Sequence, residues 1–227
     1  MNREQAKEQL KNLVDLFSSN LETYKTTSYD ESNTRADFID KFFILLGWDV
    51  NNDKGYSEDC REVVREDKVK IEGKTKAPDY SFRLDGNRKF FVEAKKPIVN
   101  IHDDKDPAYQ VRRYGYSASC PVSILTDFEE LAIYDTKIKP KPTDSPAVGR
   151  IFYCTYDEYE KYFDKLYDLF SPEAIRKGAL DKFTKADKKG TSTVDTDFLK
   201  SLSEWRIQLA ESIDSSSVDV VFAWCCN

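Results

Sequence analysis

The sequence is poor in the residues that most often announce a chemistry. Among 227 residues there is a single histidine, His102. Cysteines number five, at positions 60, 120, 154, 225 and 226, an odd count without metal-ligand spacing. They read as free thiols of a reducing compartment, not as a disulfide framework or a zinc site. No apolar run approaches the ~18 residues a membrane-spanning helix needs, and the first residues lack the apolar core of a secretory signal. A cytoplasmic protein with no membrane association is therefore expected. No GxxxxGK[ST] loop occurs, which excludes a P-loop motor, and no Asn-Pro-Pro-Tyr or Asp-Pro-Pro-Tyr run occurs, which excludes an adenine methyltransferase. Net charge is −6, with no overall basic footprint. Charged residues make up 33% and hydrophobic residues 40%, the balance of an ordinary globular protein.

What is present is local. Tyr80 to Leu84 and Arg88 to Lys95 are aromatic and β-branched runs separated by Asp85-Gly86-Asn87, a strong β-hairpin signal. With a three-residue loop, Leu84 faces Arg88 and Asp79 faces Glu93; a two-residue loop shifts this by one. Opposed side chains lie about 4.5–5.5 Å apart at Cβ, so two carboxylates there repel unless a cation sits between them. Alternation puts Glu93 and Lys95 on one face. A carboxylate between Val92 and Ala94 is costly in a central strand unless paired or metal-bound. The plainer alternative is a Glu93–Lys95 surface pair on an edge strand.

Elsewhere, periodicity predicts helices over 3–25 and from Ala36 to Leu46, with Gly47 as the C-cap. Trp48-Asp49-Val50 is expected to open a strand, and Val63 to Ile71 to form another. Asp106-Pro107 reads as the start of a helix, with Asp as N-cap and Pro first. Gln110 and Tyr114, four apart, then share one face. Pro121 to Thr126 and Leu131 to Asp135 read as strands, followed by a proline-punctuated loop to Val148. Beyond Ile151 helices are expected at 157–170, after Ser171-Pro172-Glu173, and at 195–213, with a polar linker over 184–196. We divide the chain into a core at 1–150 and a helical, connector-like segment at 151–227. The Cys225-Cys226-Asn227 end suggests a chain cut short or frame-altered.

Pro78-Asp79 followed by Glu93-Ala94-Lys95 resembles the PD-(D/E)xK nucleases. Gln110-Val111-Arg112-Arg113-Tyr114 is similar to the Gln-xxx-Tyr motif of the restriction-enzyme branch, found in type I R subunits and type IIG nuclease–methyltransferase fusions. Glu31-Ser32-Asn33-Thr34-Arg35, running on through Phe38 to Asp49, is similar to the opening helix of those domains. The three elements stand in family order across about residues 25–140. The resemblance implies an α/β fold, a central mixed β-sheet flanked by helices, with a helical C-terminal segment. It implies a Mg²⁺-dependent DNA endonuclease, Mn²⁺ able to substitute. Asp79, Glu93 and the Ala94 carbonyl would hold the metal, and Lys95 would orient the attacking water. Gln110 and Tyr114 would face the site. Glu31 would add a carboxylate, or simply complement its helix dipole. Arg35 would pair with Glu31 or reach phosphate. The implied partners are double-stranded DNA, methyltransferase and target-recognition or helicase modules absent from this chain, and a transient homodimer for cutting both strands. A non-catalytic binding or assembly module retaining the fold, and a nuclease acting on RNA, are the competing readings.

Overall fold

The computed structural model describes residues 1–71 and 73–184. The helix expected over 195–213, the linker beyond 184 and the cysteine pair at the C-terminus lie outside the described residues. Residues 1–184 form one compact unit. Its centre is a six-stranded sheet in the order β1 (Val63–Arg65), β4 (Tyr80–Leu84), β5 (Asn87–Ala94), β6 (Val122–Thr126), β7 (Glu130–Asp135) and β8 (Arg150–Thr155). All neighbours are antiparallel except β5 and β6, which run parallel. That parallel step requires a crossover, and α5 (Lys105–Ser117) supplies it. A separate two-stranded ribbon pairs β2 (Val69–Ile71) with β3 (Lys74–Lys76). The expected mixed α/β sheet is thus present, a restriction-endonuclease-like arrangement.

Alternation sorts the side chains of the sheet. Tyr80, Phe82, Leu84, Phe90, Val92 and Ala94 point into the larger core, with α1 (Arg3–Ser19), α4 (Asp40–Leu45) and α6 (Tyr159–Phe170). Rings stack through this layer; Phe82 and Phe90 lie 4.5 Å apart and nearly parallel. The opposite face carries α5. Val111 and Ala108 pack on Leu125, Ala132 and Tyr134, while Tyr114 and Phe91 meet Val69 and Ile71 of the ribbon. Gly115 lets α5 approach closely, since a Cβ there would lie 2.4 Å from Ser123 Oγ and 2.5 Å from Thr136 Cγ2.

Several boundaries differ from the expectation, each for a local reason. The first helix ends at Ser19, and a short α2 (Leu21–Tyr24) follows a break at Asn20. The second begins early, as α3 (Glu31–Thr34), and continues through a π-helical turn (Arg35–Ile39) into α4. Asp30 caps its start by accepting from the Asn33 N–H at 2.8 Å, and Gly47 ends it in the left-handed region at φ +97°. Trp48 and Asp49 are irregular and Val50 enters a turn, so no strand opens there. Val63 to Ile71 splits into β1 and β2 because Glu66 turns the chain at φ +52°. The helix expected from Asp106 starts at Lys105 after Asp104, so Pro107 falls in the first turn, where its missing N–H costs nothing. Residues 150–155, for which no strand was expected, are the sheet's sixth strand, so the sheet extends past the expected core boundary at 150. Ser171 caps α7 (Pro172–Arg176) with proline at its first turn, as expected. Cys60, Cys120 and Cys154 are free thiols. Among the described residues no helix is long and apolar enough to cross a membrane.

Candidate active site

The β4–β5 hairpin builds the centre of the site. Its loop is the two-residue alternative, with Leu84 paired to Asn87 across Asp85-Gly86. Asp85 and Gly86 take φ of +53° and +74°, the left-handed pair that a type I′ turn demands. The register then shifts: Arg83 faces Arg88, but Phe82 faces Phe90, leaving Lys89 as an extra residue. From Tyr80–Val92 the next step of that register sets Asp79 opposite Glu93. Asp79, Glu93 and Lys95 therefore share the face that carries α5.

Their contacts close the group. Lys95 Nζ lies 2.8 Å from Glu93 Oε1 and 3.7 Å from Glu31 Oε2. The amide of Gln110 donates to Glu93 Oε1 and lies 3.1 Å from the Tyr114 hydroxyl. The Ala94 N–H donates to Asp79 Oδ2 at 2.8 Å. The main chain of Lys95 stays pinned, its N–H donating to Thr126 O at 3.0 Å. All six side chains singled out in the sequence meet here: Asp79 just before β4, Glu93 on β5, Lys95 just beyond it, two from α5 and Glu31 from α3.

Arg35 does not pair with Glu31; its guanidinium is 3.0 Å from Asp79 Oδ1. No sequence signal pointed to that partner, because a regular helix offers Glu31 at i,i+4 and the pairing with Asp79 spans 44 positions. Also unforeseen is a ring of supporting ion pairs. Asp40 on α4 accepts from Tyr80 Oη at 2.7 Å and from Arg65 at 2.6 Å, and Asp67 bridges Arg83 and Arg88.

The electrostatics are those of a group short of positive charge. Burial pushes the Glu93 carboxyl up to about 7, and Asp79 adds to the rise while Lys95 opposes it. Burial raises Asp79 as well, against the Ala94 N–H, Lys95 and Arg35. Glu31 is likewise raised by burial. Burial alone would lower the Lys95 ammonium, but Glu93, Glu31 and Asp79 overcome it and raise its pKa. Glu93 Oε2 is buried and has no hydrogen-bond partner among the described residues. A buried acceptor left unmade costs about 1–3 kcal/mol. Among the described residues no three His, Cys, Asp or Glu side chains form a cage of their own. Asp79 and Glu93 are the carboxylates that could hold a hard divalent cation; Mg²⁺ needs few protein ligands because it keeps water in its remaining positions.

Over 208 residues, 90% of its length, the chain is 41% identical to "Type II restriction enzyme and methyltransferase RM.Eco57I" of Escherichia coli. The chain is a homologue of one segment of that restriction enzyme. It spans 21% of that protein's length. No family model and no solved structure matches the chain. The restriction-enzyme relative accords with the resemblance carried by Pro78-Asp79, Glu93-Ala94-Lys95 and the Gln110–Tyr114 helix.

Proposed function

We propose that this chain is the endonuclease module of a restriction system, hydrolysing phosphodiester bonds of double-stranded DNA with Mg²⁺. The observation that carries the proposal is the orphaned Glu93 Oε2, set beside Asp79 and Lys95 on one face of a hairpin. Asp79 and Glu93 would hold the cation together with the Ala94 carbonyl, and Mn²⁺ would serve in its place. When bound, such an ion activates water and offsets charge at the transferring phosphoryl group. The remaining work falls to the chain itself. Gln110 and Lys95 both engage Glu93 Oε1, which leaves Oε2 for the ligand. Arg35 and the Ala94 N–H hold the Asp79 carboxylate from either side. Lys95, its pKa raised by three carboxylates, stays an ammonium at neutral pH. It therefore orients water and donates to developing negative charge, and does not abstract a proton. Tyr114 fixes Gln110. The resemblance implies products with a 5′-phosphate and a 3′-hydroxyl.

By its printed name the relative joins a restriction enzyme to a methyltransferase. We place this chain beside such a module and a target-recognition domain, in the manner of a type IIG enzyme. One active site cuts one strand, so a transient homodimer would complete a double-strand break. The test is plasmid cleavage in Mg²⁺. Wild type should nick supercoiled plasmid, chelation should stop it, and Lys95→Ala should cut at least ~100-fold more slowly. Equal rates for wild type and Lys95→Ala, or no cleavage at high protein concentration, would refute the proposal.

A further inference from the structure

The β2–β3 ribbon belongs to no part of the site and is not held in the main sheet. A two-stranded ribbon is marginal alone in water; this one persists because Val69 and Ile71 lie on Phe91, Tyr114 and Cys120. Its sequence is strongly basic. Lys68, Lys70, Lys74 and Lys76 stand within nine residues against the single acid Glu72, in a chain whose net charge is −6. All four lysines are exposed, and none pairs with an acid among the described residues. The concentration of exposed cations on one small element is what an anionic partner would require.

The register divides these lysines. Directly opposed residues share a face, and Val69 faces Lys76 while Ile71 faces Lys74. Lys74 and Lys76 thus project on the side of α5, Phe91 and Tyr114, the side on which Glu93 also stands. Lys68 and Lys70 alternate to the other side. Only two residues separate Lys76 from Asp79, so the ribbon's last lysine begins within about 10 Å of the proposed metal ligand. Asp67, at the ribbon's base, is clamped by Arg83 at 2.6 Å and Arg88 at 2.7 Å, so the ribbon is anchored to the same hairpin that carries the site.

We infer that Lys74 and Lys76 form a phosphate-backbone contact for duplex DNA beside the cleaved strand, a docking surface that rests on the nuclease reading above. A contact of this kind positions the duplex and carries no sequence information. Each phosphate neutralised contributes about 0.9 to the slope of log binding constant against log salt on duplex DNA.

The experiment is a salt titration of the full chain with a fluorescent 20-base-pair duplex in EDTA, where cleavage is off. Lys74→Gln/Lys76→Gln should lower the slope by about 1.8 and weaken binding at least tenfold. Lys68→Gln/Lys70→Gln, which removes the same charge from the opposite face, should change the slope by less than about 0.5. Lys74→Arg/Lys76→Arg should retain the wild-type slope, which separates charge from folding. Equal losses from the two glutamine pairs would reveal diffuse attraction and overturn the inference. So would an unchanged slope in Lys74→Gln/Lys76→Gln, or tighter binding to an RNA duplex of equal length. Plasmid cleavage by wild type in Mg²⁺ reads the nuclease proposal separately. Cleavage with no ribbon effect defeats the ribbon alone, and a ribbon effect without cleavage defeats the nuclease alone.

Discussion

At the residue scale the site is a compromise between stability and function, and Glu93 bears most of it. Its folded pKa, about 7, lies above the ordinary carboxylate value. The sign follows from proton counting. Between about 4.5 and 7 the folded chain binds more protons at Glu93 than the unfolded chain does, so stability falls as pH rises through that window. Above it the charge is buried at full cost. Glu93→Gln removes that charge while keeping shape, and should raise the melting temperature of cation-free protein at pH 8 by a few °C. A lower melting temperature would mean that the 2.8 Å pair with Lys95 outweighs the burial. Active-site charges are often held against stability in this way, and in the proposed site the orphan Glu93 Oε2 would be the sign of it.

At the scale of elements the account turns on the hairpin and on what clamps it. Burial alone would raise Asp67, but hydrogen bonds from Arg88 and Arg83 hold it down at about 2. A carboxylate depressed in the fold stabilises above its unfolded pKa and loses that contribution as pH falls through the folded value. About 2 kcal/mol should therefore vanish between pH 4 and pH 2. Urea unfolding of wild type and Asp67→Asn should differ at pH 5 and converge near pH 2; parallel curves would remove Asp67 from the account. The hairpin itself was legible because Asp-Gly between aromatic runs has few other solutions. The loop is the two-residue alternative, which alone would shift the pairing by one, yet Asp79 still meets Glu93 because one extra residue at Lys89 restores the register. β8 was not legible. Its residues are mostly half-buried and show no alternation, so nothing distinguished Arg150–Thr155 from the start of a helical region. The reach of Arg35 to Asp79 was hidden for a different reason: the π-helical turn that begins at Arg35 is a tertiary event with no period of its own.

At the scale of the molecule, one sheet separates two tasks. The face carrying α1, α4 and α6 holds the aromatic core. The face carrying α5 holds the carboxylates, Lys95 and the basic ribbon, all within one connected patch of side chains. Motif order along the chain was readable because each motif is local; their convergence was readable only through the resemblance, because α5 meets β5 through a crossover that no spacing reveals. The central claim is that Asp79 and Glu93 jointly hold a divalent cation. Calorimetric titration of Mn²⁺ into the full chain at pH 8 tests it most directly, with Asp79→Asn and Glu93→Gln beside wild type. Each variant should bind at least tenfold more weakly than wild type. Binding that is unchanged in both variants, or undetectable in the wild type, would contradict the account.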